Sequence, residues 1–216
     1  MPRNQHGRYD VAGLIEAQTE PGARGRVLRN TLGITSPAVM DRVEAELLKQ
    51  ATDTLIHAYD PRHRFTTQDI CHMHRVWLGS VYAWAGTYRQ VNLTKGTFAF
   101  AFAAQIPALM QTFERGPLRR HTPCRFPSTP RVIAALAEVH TELVLIHPFR
   151  EGNGRVARIL ATLMALQAGF LLDFRPIHGR RRTAYFAAVQ AGLDHDYAPM
   201  ARIFRGVMRR TLRSAA

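Results

Sequence analysis

The sequence is short of several things, and each shortage excludes something. It has two cysteines, Cys71 and Cys124, far apart and without a Cys-x-x-Cys. That argues against a disulfide scaffold or a thiolate zinc site and fits a reducing compartment. It is poor in acid: 16 Asp and Glu stand against 29 Lys and Arg, a formal net charge of +13. It has no apolar run that could span a bilayer. The most apolar stretch, Ile159 to Leu172, is too short and is interrupted by Thr162 and Gln167. The opening MPRNQHGRYD lacks the apolar core of a signal peptide. There is no repeat and no GxxxxGK(S/T), so no P-loop. The expectation is a soluble, cytoplasmic protein without a membrane partner; a secreted effector stays open.

What is present is mostly helical pattern. Ser36-Pro37 is a helix start, and apolar residues recur at helical spacing to about Ala58. Thr66 with Asp69 resembles a capping box that opens a helix to about Leu78. Within that helix CHMH, Cys71 to His74, puts its histidines on different faces, so a metal pair is not expected. Residues 89–102, RQVNLTKGTFAFAF, read as a hairpin around TKG, with a helix after it to Phe113. RGPLRRHTPCRFPSTP reads as a loop. Thr129-Pro130 starts a helix to Ile146, and further helices are expected at about 153–169, 181–193 and 197–212. The fold class expected is all-α: one domain over 1–216 with a core at about 36–212, a lead-in at 1–35 and a small β-hairpin. The basic balance favours anionic partners such as nucleotides or nucleic acid, or is simply a solvated surface.

The chemistry concentrates in HPFREGNGRVAR, His147 to Arg158. Pro148 disfavours helix at His147, so one helix stops there. Gly152-Asn153-Gly154 precedes the next helix, where converging N–H groups and the positive dipole end make an anion site. Arg155 and Arg158, three apart, share a face near that helix start and can hold a polyphosphate. Glu151 is the one nearby carboxylate, which with phosphate oxygens suits Mg²⁺. His147 is suited to take a proton near neutrality. Phe149 is expected to anchor the loop. The third glycine of GxGxxG is missing, so a Rossmann site is excluded.

These twelve residues resemble, position by position, the Fic motif His-x-Phe-x-(Asp/Glu)-Gly-Asn-(Gly/Lys)-Arg-x-x-Arg. MHRVWLGSVYAWAGTYRQVNLTKGTFAF, Met73 to Phe100, is similar to the Fic segment that leads into a flap hairpin, and EPGARGRVLRNTLGI to the lead-in of bacterial Fic proteins. The resemblance implies a protein adenylyltransferase that moves AMP from Mg²⁺-ATP to a Ser, Thr or Tyr hydroxyl of a target protein. It implies His147 as general base and Glu151 as metal ligand. Gly152, Asn153 and Gly154 would form the anion nest, and Arg155 and Arg158 would hold the β- and γ-phosphates. Tyr185 would belong to the adenine pocket. Val91, Asn92, Leu93, Thr94, Lys95, Gly96 and Phe98 would form the flap that docks the target as an added strand.

The family's inhibitory helix carries (Ser/Thr)-x-x-x-Glu-(Gly/Asn), whose glutamate pairs with the second motif arginine, here Arg158. No Ser or Thr of this chain has Glu four residues later. A toxin-type protein restrained by a small antitoxin is therefore implied, with DNA gyrase or topoisomerase IV as targets. A catalytically inactive protein, a nucleic-acid-binding helical protein and a Fic enzyme with another nucleotide donor are the alternatives. Direct nucleic-acid binding is the less favoured, because Glu151 repels phosphate unless a metal intervenes.

Overall fold

The computed structural model describes residues 13–175 and 180–210. Helix α1, Pro37–Ala58, starts after an extended Ser36, with the proline where its missing N–H costs nothing. It buries Met40, Glu44, Ala51 and Leu55, a helical stripe that is apolar except for Glu44. Helix α2, Thr67–Leu78, has the expected capping box: the Thr66 hydroxyl accepts from the Asp69 amide, and Asp69 Oδ2 accepts from the Thr66 amide. His72 is exposed and His74 buried, and among the described residues no three His, Cys, Asp or Glu gather to hold a metal.

The hairpin forms where expected. Strands β1, Thr94–Lys95, and β2, Phe98–Ala99, pair antiparallel with Thr94 opposite Ala99, and Gly96 takes φ +61° at the turn. Helix α3, Ile106–Phe113, follows. The expected loop after it is partly helical: Glu114–Leu118 makes a wide turn around Gly116, and α4, Arg119–His121, continues it. Leu118 is fully buried; that anchor outweighs the Gly-Pro breaker signal.

Helix α5, Thr129–Ile146, has Ser128 rather than Thr129 at its N-cap position, without a side-chain capping bond. It is the central helix, buried on most sides against α3, α6, α7 and α8. Helix α6, Asn153–Gln167, runs back from it and also packs on α1 and α2. Two short strands were not expected. β3, Phe170–Leu172, pairs antiparallel with β4, Met208–Arg210, so α8, Ala198–Val207, ends earlier than the pattern suggests. Leu212, the expected end, lies outside the described residues. Helix α7, Arg180–Ala191, precedes α8. The architecture is a helical bundle carrying two small two-stranded sheets. Among the described residues no helix is long and apolar enough to cross a membrane.

Candidate active site

The corner between α5 and α6 is built by local constraints. At His147 the chain leaves the helix in the left-handed region, φ 54°, ψ 58°. Its amide still closes the last helical bond to the Leu143 carbonyl. Asn153 then ties the loop to itself: Oδ1 accepts from the Phe149 amide at 2.8 Å and Nδ2 donates to the Phe149 carbonyl at 2.7 Å. Phe149 is fully buried and stacks on His74 at 4.0 Å. The remaining carbonyls are held from outside. His74 accepts from the Gly86 amide at Nδ1, so its Nε2 carries the proton and donates to the Glu151 carbonyl. Arg89, also buried, donates from Nε to the His147 carbonyl at 2.7 Å and from its amide to the Pro148 carbonyl.

Gly152 has φ +80°, and a Cβ there would lie 2.5 Å from Trp77 Cζ3. Only glycine meets both conditions. Gly154 has neither: its φ is not positive, and the nearest atom to an added Cβ is the Tyr185 hydroxyl at 4.0 Å. It leaves space instead. The first turn of α6 borders a cleft of about 710 Å³ lined by His147, the loop from Arg150 to Arg155, Arg158 and Tyr185. That volume suits a nucleotide-sized ligand.

His147 donates from Nδ1 to the Val144 carbonyl at 3.0 Å. Its Nε2, unpartnered among the described residues, is therefore the nitrogen with the free lone pair. Phe100 from the hairpin stacks on the ring at 3.6 Å. Desolvation, helped by the positive charges of Arg89 and Lys95, pulls the His147 pKa down to about 4, so the imidazole is neutral.

The two motif arginines differ. Arg155 lies over Trp77 and pairs with Glu44 at 2.6 Å and with Glu151 at 3.2 Å. Glu44 is itself held by the Tyr82 hydroxyl, and its carbonyl by Trp77 Nε1. Arg158 lies instead between the Phe174 and Tyr185 rings, with its Nε buried and without a partner among the described residues. The Tyr185 hydroxyl donates to His140 Nε2 at 2.7 Å, while His140 Nδ1 donates to the Ala157 carbonyl. Tyr185 thus braces Arg158, on the α6 side of the cleft.

Leu93, Thr94 and Lys95 line the cleft with Phe100. Phe98 packs edge-on against Phe186 of α7, and Lys95 Nζ sits 4.5 Å over the same ring, so the hairpin closes down on α7. Gly96 is exposed at the tip. Val91 is buried and its carbonyl is taken by Arg89, while Asn92 accepts from the Ala103 amide. Sequence reasoning missed Glu44, His74, Arg89 and Phe100. Glu44 left a trace, a carboxylate inside the apolar stripe of α1. The buried His74 and Arg89 left none, since they bond backbone groups, and those that tie them to the corner, the Glu151 and His147 carbonyls, are far away in the chain.

Three histidines, the buried His74 and His140 and the half-buried His147, have pKa values pulled down to about 4, chiefly by desolvation. The unfolded chain binds protons at these sites from about pH 6.5 downward, and the folded one only near 4. Their neutral burial is thus fully favourable above about 6.5, and stability is lost as pH falls from there towards 4. Each contributes up to ~1.4 kcal/mol per pH unit within that window. The urea midpoint is expected to fall clearly between pH 7 and pH 5, with uptake of roughly 2–3 protons on unfolding near pH 5. An unchanged midpoint would count against the burial of these rings.

Comparison with known proteins follows the same residues. The model of the Fic/DOC family matches residues 64–165, which hold α2, the hairpin, α5 and the His147–Arg158 corner. The protein adenylyltransferase Fic of Drosophila melanogaster is 31% identical over 210 residues, 96% of this chain and 41% of its own length. The protein adenylyltransferase VbhT of Bartonella schoenbuchensis is 29% identical over 157 residues, 73% of this chain and 32% of its own. The chain thus spans about two fifths or less of these curated relatives. Among solved structures, the N-terminal Fic domain of a Bartonella effector protein from Bartonella sp. AR 15-3 superposes with a TM-score of 0.76, at 22% identity and 96% of each chain. The BepC protein of Bartonella tribocorum, solved with bound AMPPNP, superposes with a TM-score of 0.70 at 24% identity, over 85% of this chain and 93% of that one. The helix–loop–helix that frames His147, its flanking hairpin and the matched span agree: this chain carries a domain of the Fic/DOC family.

Proposed function

We propose that the protein is an adenylyltransferase that moves AMP from Mg²⁺-ATP to a Ser, Thr or Tyr hydroxyl of another protein. One observation carries the reading: a neutral imidazole with a free Nε2, a helix N-terminus and two arginines meet in one cleft beneath a hairpin. In the step proposed, the target hydroxyl oxygen bonds to the α-phosphorus as the bond from that phosphorus to the bridging oxygen breaks. The hydroxyl proton passes to His147 Nε2 and pyrophosphate leaves. Arg155 and Arg158 hold the departing charge, and the N–H groups of Asn153 and Gly154 face the phosphates. A bound triphosphate brings negative charge beside His147 and raises its pKa from about 4 towards the range useful for a base. The neutral ring in the free protein is ready to accept.

Glu151 fits Mg²⁺. Its side chain is 47% exposed and Oε1 is engaged by the Gly152 amide and Arg155, which leaves Oε2 for a metal completed by phosphate oxygens and water. When bound, the ion would neutralise phosphate charge. Thr94 and Lys95 on the exposed hairpin would pair with an extended segment of the target. Residues 1–216 are read as a single Fic domain.

Arg158 is the proposed point of restraint. No glutamate contacts it among the described residues, and a small antitoxin would supply one. DNA gyrase and topoisomerase IV are the proposed targets of such a toxin. The protein purified alone is then expected to be active. Inactivity relieved only by mutating one of its own glutamates would overturn the antitoxin proposal. The main test is incubation with a whole-cell lysate and α-³²P-ATP, with γ-³²P-ATP in parallel. Protein labelled by the α-label alone supports AMP transfer. Label from the γ-phosphate alone would indicate a kinase, and label from neither would favour a binding role.

A further inference from the structure

Arg89 lies outside the His147–Arg158 motif and lines no part of the cleft, yet it is 1% exposed and spends its whole side chain on backbone. Nε donates to the His147 carbonyl at 2.7 Å, Nη1 to the Val91 carbonyl at 2.6 Å and Nη2 to the Ala101 carbonyl at 2.6 Å. Those three carbonyls belong to the corner that presents the base, to the chain entering the hairpin and to the chain leaving it. Among the described residues no carboxylate forms an ion pair or hydrogen bond with the guanidinium. Glu16, whose charge is felt at Arg89, gives its Oε1 to the Gln90 amide. A buried cation is costly unless its donors are satisfied. The planar fork suits this geometry, because its three nitrogens reach three separated oxygens in fixed directions, whereas an ammonium gathers its donors on one rotatable nitrogen.

We propose that Arg89 is a positioning residue that locks the hairpin to the catalytic corner, so that a hydroxyl carried on the hairpin arrives at His147 Nε2. The hairpin also touches the base through the Phe100–His147 stack, and its Phe98 and Lys95 rest on Phe186 of α7. Without Arg89 the two legs of the hairpin lose their common anchor, while the arginines and helix N-terminus that face the phosphates keep theirs. The role rests on the adenylyltransferase reading, and it predicts a split. Nucleotide binding survives and transfer does not.

The test uses the full chain with Arg89→Lys and Arg89→Met. The expected result is a dissociation constant for Mg²⁺-AMPPNP within about threefold of wild type. Initial α-³²P labelling of lysate proteins falls on the order of 10²-fold, the loss that a displacement of about 1 Å produces. Labelling that stays within a few-fold of wild type in Arg89→Lys would overturn the proposal. So would a parallel loss of AMPPNP affinity, which indicates a general structural role. Where Arg89→Met does not fold, wild-type protein labelled with ¹⁵N-arginine carries the test. Its Arg89 Nε–H must exchange slowly and show cross-peaks to the His147 backbone, and a rapidly exchanging signal would refute the clamp. If wild type itself transfers no α-label, the functional reading fails, and this spectrum still decides the clamp on its own.

Discussion

Replacing His147 by alanine is expected to lower α-label transfer by about 10²–10⁴-fold, the range for loss of a positioned general base. Mg²⁺-AMPPNP binding should stay close to wild type, because the groups that face the phosphates, the α6 N-terminus, Arg155 and Arg158, do not depend on the imidazole. Stability should change little in either direction. Alanine at φ 54° keeps the left-handed strain that histidine already bears, and loses the stack on Phe100. It also removes a half-buried ring held neutral, so the acid-induced loss of stability becomes shallower by up to one proton. The informative measurement is therefore a pair, calorimetric titration with AMPPNP beside initial rates of labelling. Rates within tenfold of wild type would remove His147 from the role of base. Loss of nucleotide affinity in step with rate would mean that the ring shapes the phosphate site and does not serve the hydroxyl.

His147 illustrates what was legible in the sequence. The break at Pro148, the glycines and the arginine spacing placed a helix end, an anion site and two cations in twelve residues, and the structure brings them into one cleft. Local signals suffice for such a corner because its determinants are neighbours in the chain: Phe149 with Asn153, His147 with Val144, Glu151 with Arg155. The same holds for the capping box at Thr66 and the turn at Gly96. What stayed hidden depends on contacts between distant segments. Glu44 meets Arg155 across 111 positions, and Arg89 meets His147 across 58. The β3–β4 pair needs α8 to return beside the end of α6, and no local pattern encodes that return. Arg155 and Arg158 looked equivalent by spacing. Their different fates, one between two carboxylates and one between two rings, follow from what α1 and α7 bring to them.

The two glycines of the motif also look alike in sequence and are expected to behave very differently. Gly152→Ala combines a left-handed alanine, about 1–2 kcal/mol, with a Cβ driven to 2.5 Å from Trp77 Cζ3 and 2.9 Å from Cη2. Trp77 has no room to yield. It is fully buried, its Nε1 donates to the Glu44 carbonyl and its face carries Arg155. Forced overpacking of this kind costs about 1–3 kcal/mol. The sum, on the order of 2–5 kcal/mol, is a large share of a typical domain's stability. It should show as a much lower urea midpoint. Relief by backbone movement would displace the Gly152 amide, which bonds Glu151 Oε1, and so weaken AMPPNP binding as well. Gly154→Ala adds a methyl at an ordinary helical position with 4.0 Å to its nearest neighbour, and its midpoint should stay near wild type. A double-mutant cycle separates the two terms of Gly152. Trp77→Leu in the Gly152→Ala background should remove the steric part, giving a favourable coupling of about 1–3 kcal/mol, while the left-handed strain remains. Equal midpoints for the two single alanine variants would mean that the loop accommodates a side chain at both positions. The nest would then be set by the Asn153 ring of hydrogen bonds and not by the fit of Gly152 against Trp77.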